Sequence, residues 1–169
     1  MSTRNKKGFT LIELLVTIAI IAILAAVGTV VYSSTQKSAR ISKRLQDLNA
    51  LKTAVELYKS TTGQYPLQAG SFQCMRLVSG LAPAYMPTIP EDPLTGDTYC
   101  YQYYSEDGNN YKVRTSPNIT SAEMTSNEFK QQPGLIDPEK DGTPDCNIDT
   151  TSTNITGWAV YSGSLGCAY

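Results

Sequence analysis

Two different apolar patterns share the first sixty residues of the chain. From Phe9 to Tyr32 the sequence FTLIELLVTIAIIAILAAVGTVVY is apolar on every side and carries a single charge, Glu13, in 24 residues. At about 1.5 Å per residue such a helix is roughly 36 Å long, enough to cross the hydrocarbon core of a bilayer. Beyond Tyr32 the chain turns polar, yet Ile41, Leu45, Leu48, Leu51, Val55 and Tyr58 recur at steps of three and four. That spacing draws one apolar stripe along a helix. No proline intervenes before Pro66 and Gly63 supplies a stop, so the pattern predicts one nearly continuous helix from Phe9 to about Thr61. Lys37, Arg40, Lys43, Arg44 and Asp47 fall largely beside the stripe and are expected on a solvated face or against neighbouring subunits.

The pattern then shortens. Gly63 to Pro93 holds Pro66, Pro83, Pro87, Pro90 and Pro93, which predicts a folded surface connector with one short helix near Cys74 to Leu81 and no strand. Thr98–Ser105 and Tyr111–Thr115 read as strands joined by the loop Glu106-Asp107-Gly108-Asn109-Asn110, and Trp158–Tyr161 as a last strand. Tyr99, Tyr101 and Tyr103 alternate onto one face, with Cys100 and Tyr104 on the other. Such a cluster serves a sugar or nucleic-acid platform in some proteins, but packing against the long helix is the commoner cause and is expected here. The fold class is α+β, a long N-terminal helix packed against a small antiparallel sheet.

Charge and composition narrow the chemistry. The formal net charge is −1, but without residues 1–8 the chain has 11 Lys and Arg against 15 Asp and Glu, or −4. This balance gives no general attraction to nucleic acid. Histidine is absent, which removes the usual general base near neutral pH and the commonest transition-metal ligand. No serine stands in a GxSxG setting, so the chain is not expected to be an enzyme.

Arg4, Lys6 and Lys7 precede Gly8, and the apolar core that follows is too long for an ordinary secretory signal. A carboxylate inside such a span costs about 2.5–3.5 kcal/mol at the centre and less near the interface, so Glu13 calls for a partner. The run Lys7-Gly8-Phe9-Thr10-Leu11-Ile12-Glu13-Leu14 resembles the signal of type IV pilins and type II secretion pseudopilins. The resemblance is strongest over residues 6–66.

This resemblance implies a division into a leader (1–8), a transmembrane and polymerisation helix (9–32), its amphipathic continuation (33–62) and an exported head (63–169). It further implies cleavage between Gly8 and Phe9 by a prepilin peptidase, methylation of the new N-terminus at Phe9, and pairing of Glu13 with the N-terminal amine of a neighbouring subunit. The expected partners are further copies in a helical filament, the inner-membrane assembly platform and the membrane itself. The expected location is the inner membrane before assembly, then an extracellular pilus or a periplasmic fibre. A type IV pilus subunit is the leading reading, a secretion pseudopilin the alternative, and a membrane-tethered glycan- or receptor-binding module the third. One departure is Val30, where many pilins carry proline. Gly28 nearby supplies a weaker helix defect.

Two features of the head remain. Asp137, Glu139, Asp141 and Asp145 occupy positions one, three, five and nine of a loop with Gly142 at position six. That spacing suits a calcium ion, with the Thr143 carbonyl completing the shell, although the usual glutamate at position twelve is replaced by Ile148. Four cysteines lie beyond the apolar span and permit three pairings, of which Cys74 with Cys100 and Cys146 with Cys167 is preferred.

Overall fold

The structure, a computed structural model, describes residues 8–94, 96, 98–120, 123–137 and 157–162, with backbone only at 28–31 and 126. It divides into two compact units, Met1–Ala39 and Arg40–Tyr169. One helix, α1 (Leu11–Thr62, 52 residues), contributes to both. Its beginning and end lie within two residues of the limits predicted from the pattern, and Gly28 stays inside it.

Among the described residues of the first unit the apolar side chains are exposed: Leu11 is 81% exposed and Ile23 66%. The helix is long and apolar enough to cross a membrane, the solvent in which such exposure costs nothing.

In the second unit the stripe meets a four-stranded antiparallel sheet in simple order, β1 (Gln68–Cys74), β2 (Gln102–Ser105), β3 (Lys112–Arg114) and β4 (Ala159–Tyr161). Leu48, Leu51 and Val55 are fully buried with Tyr101, Tyr103, Val113 and Val160, and Ile41, Leu45 and Tyr58 pack at the margin. The tyrosines are therefore core residues: the Tyr101 hydroxyl donates to Asp47 at 2.9 Å and that of Tyr103 to the Pro66 carbonyl at 2.8 Å. Burial pushes both phenols well above their ordinary range, and for Tyr101 the charge of Asp47 adds to it.

Three expectations change. The connector contains a strand after all, because β1 pairs with β2 through Gln73↔Tyr103 and Cys74↔Gln102 and, across an irregularity, through Gln68↔Ser105. Its sequence QAGSFQC has no β-branched residue and only Phe72 and Cys74 to hint at alternation, so pairing rather than propensity makes it a strand. The expected short helix shrinks to a 3-10 turn, Met75–Leu77. The strand expected over Thr98–Ser105 begins only at Gln102, since the Thr98 carbonyl instead accepts from Ser116 Oγ and Asn118 Nδ2. A short α2 (Ser126–Lys130) docks through Phe129, whose carbonyl accepts the Trp158 indole N–H at 3.0 Å.

Two turns lock together. Gly63 (φ +86°) ends α1 by donating its amide to the Lys59 carbonyl at 2.8 Å. Gly108 (φ +72°) lies against the chain just beyond, where its carbonyl accepts the Tyr65 amide and a Cβ would meet Tyr65 O and Leu67 Cδ2 at 3.3 Å. Gly108→Ala therefore strains the backbone and crowds this contact; urea unfolding is expected to show a loss of about 1–3 kcal/mol, against less than about 0.5 kcal/mol for the exposed Ala50→Ser control.

Candidate processing and assembly site

The start of α1 is closed by its own side chains. Thr10 stands just before the helix, its amide and hydroxyl both donate to Glu13 Oε2 at 2.8 and 2.7 Å, and the Glu13 amide donates back to Thr10 Oγ1 at 3.3 Å. This reciprocal arrangement is a capping box, and its T-x-x-E spacing was legible in the sequence although only the charge of Glu13 drew notice there. Gly8 and Phe9 consequently lie outside the helix. A Cβ added at Gly8 would meet nothing within 4 Å among the described residues, and Phe9 is 89% exposed. The peptide between them is accessible, unpaired by helical hydrogen bonds and four residues from the carboxylate.

The head has its own charged centre, built from α1 residues that were expected on a solvated face or against neighbouring subunits. Arg44 and Asp47 are buried instead. Arg44 donates to both oxygens of Asp92 at 2.8 Å and to Glu123 Oε1 at 3.0 Å, while Arg40 holds Glu123 through two further bonds. Lys43 pairs with Asp47, the acceptor of the Tyr101 hydroxyl. The overlooked signal is positional: Arg44 is four residues before Leu48 and Asp47 four before Leu51, which sets both on the buried side. Burial alone would raise the Glu123 carboxyl, but bonds from Arg40 and Arg44 outweigh it and hold the group below its ordinary value. Burial also opposes the charge on Arg44, and Asp92 and Glu123 more than restore it.

Of the predicted cation loop, Asp137 is described; Glu139, Asp141, Thr143 and Asp145 lie outside the described residues, as do Cys146 and Cys167. Asp137 is fully buried with its Oδ1 2.8 Å from the Lys112 ammonium. Its amide donates to the Gly157 carbonyl, next to an isolated bridge between Ile136 and Trp158. Among the described residues no group of three or more acidic or cysteine side chains is arranged to hold a metal. The preferred pairing of Cys74 with Cys100 is present, with Cα atoms 5.5 Å apart. It ties the end of β1 to the chain entering β2, and such a link is worth about 2–4 kcal/mol.

An accessible peptide before a capped, apolar helix and a helix-on-sheet head define a pilin-like filament subunit, and the comparisons agree. Residues 3–29 match the model of the prokaryotic N-terminal methylation motif, and residues 31–118 match that of type II secretion system protein G. A type II secretion system core protein G of Klebsiella michiganensis is 29% identical over 57% of this chain and 74% of its own length. Its counterpart in Dickeya chrysanthemi is 23% identical over 96% of both chains. A fimbrial protein of Pseudomonas aeruginosa is 43% identical, over 31% of this chain and 34% of its own. No solved structure gives a significant match. The chain belongs to the family of type II secretion system protein G.

The charged centre predicts a pH dependence. Because folding lowers the affinity of Glu123 for protons, its contribution is fully present above the ordinary value of 4.5 and is lost as pH falls below it. Glu123→Gln is expected to cost about 1–3 kcal/mol at pH 7, and urea unfolding repeated under increasing acidity should show the gap to wild type closing.

Proposed function

We propose that this chain is a pseudopilin, a structural subunit that is anchored in the inner membrane, processed at Gly8–Phe9 and assembled through α1 into a periplasmic fibre of a type II secretion system. The observation that carries this reading is the reach of the protein G match: it continues past the helix to residue 118, through β1, β2 and β3. A type IV pilus subunit is the second reading, favoured by the fimbrial relatives, whose likeness is confined to about 52 residues and so speaks for the helix more than for the head.

Processing leaves an amine on Phe9, four residues before Glu13. The carboxylate is then the acidic group nearest to each new N-terminus, and in an apolar bundle a charge needs an opposite charge. Pairing Glu13 with the Phe9 amine of a neighbouring subunit neutralises both while the exposed apolar faces of the helices pack together. Prepilin peptidase and an inner-membrane assembly platform are the partners that this sequence of events requires. The chain acts by assembling, and no residue set in it is assigned to catalysis.

Gly8→Glu is expected to keep the leader attached, and Glu13→Ala to be cleaved normally but to enter fibres poorly. Intact-mass measurement of sheared filaments and of the membrane fraction reads both. A wild-type chain beginning at Phe9 and confined to the envelope supports the pseudopilin. The same chain in sheared surface filaments supports the pilus, and an uncut chain overturns both readings.

A further inference from the structure

The capping box at the start of α1 loads the two oxygens of Glu13 unequally. The Thr10 amide and hydroxyl both donate to Oε2, at 2.8 and 2.7 Å, and among the described residues Oε1 receives no bond. One oxygen of the carboxylate is thus tied to its own chain while the other keeps its acceptor capacity. Around it Phe9, Ile12, Glu13, Val16 and Thr17 line a shallow recess of about 330 Å³. Glu13 is the charged member of that set, and the Thr17 hydroxyl donates its proton to the Leu14 carbonyl at 2.8 Å. An incoming amine therefore meets one charge there, on a side chain that is already held.

We propose that Thr10 is a positioning residue for assembly: it grips Glu13 by Oε2 and so presents Oε1 to the Phe9 amine of a neighbouring subunit. This rests on the reading that Glu13 pairs with that amine. A glutamate otherwise has large rotamer freedom, and freedom removed before docking is not lost at docking. Cleavage between Gly8 and Phe9 leaves the Phe9–Thr10 peptide intact, so both Thr10 donors survive processing. The amine takes one oxygen and the box keeps the other, and the helix start is preserved as subunits join.

The test is the full chain expressed with its assembly machinery, read by intact mass for cleavage and by crosslinked oligomers in whole cells for assembly. Thr10→Gly caps a helix nearly as well as threonine but lacks the hydroxyl. It is expected to be cleaved normally and to lose about tenfold in oligomers, and Thr10→Ser is expected to match wild type. Should Thr10→Gly escape cleavage, Thr10→Val, which also lacks the hydroxyl, takes its place. A role in capping alone predicts normal assembly of Thr10→Gly. Glu13→Gln separates the two levels of the argument. If it assembles like wild type, the pairing of Glu13 with the amine fails and this proposal with it. If it assembles poorly while the variants without the hydroxyl assemble like wild type, or while Thr10→Ser is as defective as they are, the role of Thr10 alone is overturned.

Discussion

The head is organised around a cation that water cannot reach. Arg44 projects from α1 into the protein with no exposed surface, and its charge obliges two distant loops to bring it carboxylates, Asp92 from the connector and Glu123 from the stretch before α2. Without either carboxylate Arg44 would be left charged and dry, at a cost of about 3–5 kcal/mol. The strands beside it are three to seven residues long and supply few hydrogen bonds. Positioning of the loops therefore falls to Arg44, with Arg40 as second donor to Glu123 and the Asp47–Tyr101 bond tying helix to sheet.

The same device appears on the opposite face. Lys112 and Asp137 repeat the motif of a buried pair, this time joining β3 to the segment that leads toward β4. The disulfide between Cys74 and Cys100 performs the covalent equivalent at the other edge, where β1 has little intrinsic reason to be a strand. A small sheet is thus held by two buried ionic fasteners and one covalent one. One stripe of α1, with Leu48, Leu51 and Val55, shares the apolar core with Tyr101 and Tyr103.

The first unit works under the opposite constraint. Its described apolar side chains from Leu11 to Val27 are exposed, as suits a span long and apolar enough to cross a membrane. The capping box gives Glu13 a local use, and it leaves the Gly8–Phe9 peptide outside the helix. One short stretch thereby combines the helix start with the residues at which cleavage and docking are proposed. The protein G family assignment gives these features a common setting, a pilin-like subunit with an apolar N-terminal helix and a helix-on-sheet head.

What the sequence determined by itself was whatever is written in neighbouring residues. The membrane-length span, the cleavage motif, the stripe from Ile41 to Tyr58 and the hairpin of β2 and β3 all follow from periodicity or from short motifs, because side chains one turn or one pleat apart share a face. Only the tertiary structure decided which charges go inside. Arg44 meets Asp92 and Glu123 at separations of 48 and 79 residues, and Lys112 meets an aspartate that the spacing had assigned to calcium. Strand β1 likewise exists through its neighbour. A buried ion pair or an edge strand is stable only when its partner is in place, and that placement is a property of the assembled fold rather than of any local run of residues.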